Sequence, residues 1–125
     1  MDIEQFTELA DRLMDRVPEP VLEGLNGGVT VRRNARRDKA DPRDVYIMGE
    51  YVTDPVMGCY VVLYYGSFVA ILTGEPDAVW EEELWETIRH ELRHHLEVRA
   101  GESDLDREDE EQMYELRKRS PRSRE

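Results

Sequence analysis

Three histidines, His90, His94 and His95, fall within six residues of one another, and the chain has no others. The first two belong to the stretch His90-Glu91-Leu92-Arg93-His94, which reads H-E-x-x-H. On a helix, residues four apart project from one face, one turn above the other. Two imidazoles placed in that way can share one zinc ion, and a glutamate beside the first can act as a general base. The chemistry this spacing suits is metal-assisted hydrolysis. His95 is the odd member, because adjacent helical residues point about 100° apart.

The element that must position these groups is a helix running from Asp77 to about Ala100. Pro76 discourages an earlier start, Asp77 can serve as N-cap, and Glu81, Glu82 and Glu83 lie near the positive end. Gly101 is a natural stop, since it tolerates the left-handed conformation that ends many helices. With His90 at 0° and about 100° per residue, His94 falls at about 40°, Glu91 at about 100° and Glu97 at about −20°. Leu84, Trp85, Ile88, Leu92 and Leu96 fall between about 120° and 240°. The expectation is an apolar face on the core and a His/Glu face on a cleft, with His95 as a packing residue or a support for the ligands.

A catalytic zinc takes three protein ligands and leaves a fourth position for water. No histidine follows His95, so the third ligand must be a carboxylate. Asp104 is the first choice: it lies three residues after the helix-ending Gly101, where the chain has turned, and Leu105 could anchor its return. Glu97 competes, as a ligand or as a group that orients one, because it shares the stripe of His90 and His94.

At these residues the chain resembles the small bacterial zincin-like metallopeptidases of the minimal H-E-x-x-H type. The similar stretches are Leu25-Asn26-Gly27-Gly28, Tyr46-Ile47-Met48-Gly49-Glu50-Tyr51, Tyr64-Tyr65-Gly66-Ser67-Phe68, and His90 to Glu97 followed by Ala100-Gly101 and Asp104-Leu105. The resemblance implies one zinc ion per chain, a compact α+β domain and peptidase activity. It names no substrate. In the metzincin pattern a glycine stands three residues after the second histidine; here Glu97 holds that place and the glycine comes at Gly101. Asp104 keeps the glycine-plus-three relation on a helix about 6 Å longer.

At 125 residues the chain suits a single domain with its own core. We place that domain at 1–116 and a basic, disordered tail at 117–125, where Arg117, Lys118, Arg119, Arg122 and Arg124 cluster. Cys59 is the one cysteine, which rules out an internal disulfide and a Cys-rich zinc site and suggests a reducing, cytoplasmic setting. No signal peptide and no apolar stretch of about 20 residues is visible. The net charge of −12 disfavours polyanions, and so argues against nucleic acid as a partner. A peptide or protein is the expected substrate, without a membrane partner.

Around the motif, residues 2–17 read as an amphipathic helix, with Ile3, Phe6, Ala10, Leu13, Met14 and Val17 at helical steps. A helical turn over Val21–Leu25 follows. Val29–Arg32, Val45–Val52, Tyr60–Tyr65 and Phe68–Leu72 read as strands, with turn chemistry at Thr53-Asp54-Pro55 and a turn or bulge at Gly66-Ser67. The segment from Arg33 to Arg43 reads as a basic loop, and Arg107–Lys118 as a last helix. The predicted fold is α+β: a small, mostly antiparallel sheet packed with an N-terminal helix and the long metal-binding helix.

The function this predicts is zinc-dependent peptide hydrolysis, with His90, His94 and Asp104 on the metal and Glu91 as base. Tyr64, Tyr65 and Tyr114 are oxyanion-stabilising candidates by residue type alone. A non-catalytic, zinc-stabilised binding domain or degenerate metalloprotease is the alternative. A metal-dependent ribonuclease lacks its third spaced histidine here.

Overall fold

A computed structural model describes residues 1–43 and 45–101. Asp104, Tyr114, the Arg107–Lys118 segment and the 117–125 tail lie outside these described residues.

Helix α1 spans Ile3–Met14. Asp2 caps it in a reciprocal capping box: the Asp2 carboxylate accepts from Gln5 N, and the Gln5 side chain accepts from Asp2 N. Its apolar stripe buries Phe6, Leu9, Ala10 and Leu13. The helix stops well before Pro18, and a short α2 spans Glu19–Leu22.

Strand β1 covers Val29–Arg32, β2 Arg36–Arg37, β3 Tyr46–Ile47, β4 Gly49–Asp54 and β5 Gly58–Tyr64. Three of them form a sheet in the order β1-β5-β4, and β2 pairs with β3 as a separate ribbon. The β4–β5 pair is an antiparallel hairpin, with Gly49 opposite Leu63 and Asp54 opposite Gly58. Its turn is held by Asp54, whose Oδ1 accepts from Val56 N at 2.7 Å and Met57 N at 2.9 Å. The β1–β5 pair is parallel, so the main sheet is mixed rather than mostly antiparallel. The expected strand over Val45–Val52 is split at Met48, whose carbonyl accepts from Tyr64 N.

The largest correction is at Phe68–Leu72. These residues belong to a helix, α3, spanning Tyr65–Leu72. A short apolar run fits either a buried strand or a buried helix. Here Phe68 and Leu72, four apart, both point into the core. Gly66 is a helical residue, not a turn, and its missing side chain matters. A Cβ there would lie 2.3 Å from Ala35 N, so the chain after β1 passes directly over the start of α3. Ser67, fully buried, accepts from Arg36 N at 3.0 Å and ties β2 to that same end.

Helix α4 spans Asp77–Arg99. Pro76, not Asp77, holds the N-cap position, in an extended conformation with no side-chain cap. Asp77 instead contributes charge to the first turn. Gly101 takes a φ of 72° after the last turn, as its role of helix stop requires.

Residues alternate along β5, so its two faces serve two layers. Val61 and Leu63 enter the main core with Phe6, Leu13, Phe68, Leu72, Trp80, Leu84 and Ile88. Val62 and Tyr64 face the other way and pack with Ile47. Phe6 is the hinge of the main core, with ring centres 4.9 Å from Phe68, 5.3 Å from Tyr65 and 6.2 Å from Trp80. Burial of these large side chains stabilises the fold by about 1.5–3 kcal/mol each.

Candidate functional site

The H-E-x-x-H stretch lies in the C-terminal half of α4, where that helix packs on β4. His90 is half-buried, His94 is 8% exposed and Glu91 is 1% exposed. The sequence places the apolar stripe opposite the His/Glu stripe. The structure rotates this picture: the buried side chains of α4 include Thr87, Ile88, Glu91, Leu92, His94 and His95. At about 100° per residue Glu91 falls in the middle of that buried arc, and His94 on its margin. The reason is on the facing strand. Gly49 presents no side chain, and a Cβ there would lie 2.7 Å from Thr87 Cγ2 and 3.5 Å from Glu91 Cγ. A bare backbone at this point lets α4 come close and leaves room for a carboxylate under the sheet edge.

The two motif imidazoles stand edge to face, with ring centres 5.0 Å apart and planes at 71°. With bonds of about 2.0–2.1 Å and tetrahedral angles, two imidazoles on one zinc place their ring centres about 5 Å apart. The separation of the pair equals that of two such ligands. His90 Nε2, Glu91 Oε1, His94 Nε2 and Glu97 Oε2 are all buried side-chain atoms. Among the described residues no group of three or more His, Cys, Asp or Glu side chains is placed to hold a metal. The third expected ligand, Asp104, lies outside the described residues.

Glu97 sits one turn beyond the pair. Its Oε1 accepts from Arg93 Nε at 3.1 Å, and its Oε2 has no hydrogen-bond partner among the described residues. It does not join His90 and His94 as a third ligand here.

His95 is turned away from the pair, as its helical position requires. It is fully buried, with Nδ1 2.7 Å from the Tyr51 hydroxyl and Nε2 2.8 Å from the Glu23 carbonyl oxygen. Tyr51 also lies nearly parallel to His94, at 13° and 6.5 Å between ring centres. Burial pushes the Tyr51 phenol far above its ordinary range. The sequence names Tyr51 and Gly49 within the stretch Tyr46 to Tyr51 but assigns neither a role. Their spacing of two on one strand puts both on the face toward α4, which was the available signal.

The other tyrosines singled out by type are engaged elsewhere. Tyr64 donates to Glu50 Oε1 at 2.8 Å and accepts from Arg36 at 3.0 Å, on the sheet face away from the main core. Burial raises its pKa. Tyr65 donates to the Met1 carbonyl and packs on Phe6. The basic segment is partly ordered by these contacts, since Arg36 also pairs with Glu50 and Arg37 lies over the Tyr46 ring.

No helix among the described residues is long and apolar enough to cross a membrane. No family model matches the chain, and no curated protein matches it. Among solved structures it is similar to a conserved hypothetical protein from T. thermophilus, at 39% sequence identity and a TM-score of 0.69. The match covers 80% of this chain and 98% of the other. With that identity over nearly the whole of its relative, the chain belongs to the same family as the T. thermophilus protein.

Proposed function

We propose that this chain is a zinc-dependent metallopeptidase-like hydrolase of the H-E-x-x-H type. One observation carries the reading: two imidazoles at zinc-sharing separation flank a buried glutamate, on one helix, beneath the sheet strand β4. His90 and His94 would hold the ion, with Asp104 supplying the third ligand. A bound zinc supplies a water acidified toward pH 7 and a positive charge beside the scissile carbonyl.

The chain's own residues do the rest. Glu91 takes the proton from the attacking water and passes it to the leaving amine. Its buried position between α4 and β4 keeps the carboxylate in one place and away from bulk water. Strand β4 is an end strand of its sheet and, among the described residues, pairs only with β5. Its other edge is suited to hydrogen-bonding an extended peptide, which favours a peptide or protein substrate. A reducing, cytoplasmic setting accords with the single Cys59.

The alternative is a zinc-stabilised binding domain or degenerate protease. The near-complete burial of Glu91 favours it, because a base must meet its water. Elemental analysis of wild type and His94→Ala in parallel, then a peptide-library screen with Glu91→Gln as control, separates these readings. About one zinc in wild type and none in His94→Ala supports the site, and cleavage lost in Glu91→Gln supports the enzyme. Absence of zinc from wild type after it has been supplied rules out both.

A further inference from the structure

Tyr51 lies beside both histidines that follow Glu91, its ring centre 5.4 Å from that of His95 and 6.5 Å from that of His94. Its hydroxyl meets His95 and its ring lies along His94. The partner of His95 on the other side decides the direction of these bonds. The Glu23 carbonyl can only accept, so His95 Nε2 carries the hydrogen that meets it. In the neutral imidazole, which has one N–H, Nδ1 is then the acceptor and the Tyr51 hydroxyl the donor.

The same end of α4 is tied down once more. Arg99, one turn after His95, donates from Nη1 to the Pro20 carbonyl at 2.9 Å. The helix is thus bonded to β4 on one side and to the α2 segment on the other. Apolar packing is non-directional, whereas hydrogen bonds fix direction. The core holds α4 against the sheet, and these bonds set its rotation about its own axis.

We propose that Tyr51 is the positioning residue of the motif. Its hydroxyl donates to Nδ1 of His95, supporting the Nε2–H tautomer that Glu23 selects and holding that ring turned away from His90. Its ring fixes the plane of His94, so that His94 and not its neighbour is paired with His90. The consequence for metal binding rests on the zinc reading above; the positioning itself is a property of the metal-free chain.

The test has two readouts. Long-range 15N–1H spectra of metal-free protein report the His95 tautomer and the His94 ring signals, and zinc titration reports the consequence. Wild type is expected to show His95 as Nε2–H alone. Tyr51→Phe removes only the hydroxyl. The His95 Nδ1 signal should then move for the lost hydrogen bond, while Glu23 holds the Nε2–H tautomer and His94 signals stay close to wild type. Zinc affinity should stay near wild type in this variant, because His94 keeps its neighbour. Tyr51→Leu removes the ring as well, should move the His94 signals, and should weaken zinc about 10- to 100-fold, the usual effect of losing a group that orients a ligand. Leu13→Ala, a core change on α1, serves as control: it should lower Tm and leave tautomer and zinc affinity unchanged. Unchanged His95 and His94 signals in both Tyr51 variants overturn the proposal, as does wild-type zinc affinity in Tyr51→Leu. If wild type binds no zinc, the metal reading fails by itself. The spectra of the Tyr51 variants then decide: altered signals support the positioning role and unaltered ones overturn it.

Discussion

Gly49 on β4 lies under Glu91 on α4, so close that a Cβ at position 49 would sit 3.5 Å from Glu91 Cγ and 2.7 Å from Thr87 Cγ2. The smallest residue of the strand faces the most deeply buried charged residue of the helix. This pairing accounts for how a glutamate can occupy the middle of a packed helix face.

Gly49→Ala should push α4 from the sheet. Overpacking of this kind costs about 1–3 kcal/mol. Urea denaturation should show that loss with a folded, cooperative baseline, and zinc uptake should weaken with it. Wild-type stability in the alanine variant would mean that α4 shifts freely and that the close approach is incidental.

Glu91→Gln keeps the shape of the side chain and removes its basicity. Zinc content should stay at the wild-type level, while peptide cleavage drops by about 10²–10⁴, the usual contribution of a general base. Equal turnover in the glutamine variant would dismiss Glu91 from the chemistry.

Asp104→Ala and Glu97→Ala test the third ligand. Zinc binding should be lost or strongly weakened in the first and retained in the second. Glu97 already shares an exposed i,i+4 ion pair with Arg93, a contact worth about 0.3–0.5 kcal/mol. Metal retained in Asp104→Ala and lost in Glu97→Ala would reverse the assignment.

Asp54 gives the hairpin a pH-dependent element. The backbone N–H groups of Met57 and Val56 hold its carboxyl below the ordinary range. Bonds made to the charged form stabilise the fold above the unfolded pKa of about 3.9 and fade as pH falls through the lower folded value. Asp54→Ala should therefore lower Tm at pH 7, and the gap to wild type should close as both are taken toward pH 2. A gap independent of pH would assign the effect to turn geometry rather than to the carboxylate.

Much of the fold was legible because local rules acted alone. The steps of Phe6, Ala10 and Leu13 mark α1, and the run ending at Gly101 marks α4, since both helices carry their periodicity over many turns. Thr53-Asp54-Pro55 marks the hairpin turn. Tyr65–Leu72 was not legible in this way: eight residues with small and apolar side chains satisfy a strand or a helix equally. The choice falls to Ser67 and Gly66, which must meet the chain after β1.

The α+β class follows from the local pattern of the chain, and so does the spacing that sets His90 and His94 one turn apart with Glu91 beside them. That spacing is a property of helix geometry and needs no partner. The direction in which α4 faces has a different origin. The hydrophobic pattern asked for Leu84, Ile88 and Leu92 inward, and it left the roll of the helix loose. Gly49 opened a gap for Glu91, and the Tyr51–His95–Glu23 bonds closed the choice. Such contacts join residues 44 and 72 positions apart, where no local rule reaches.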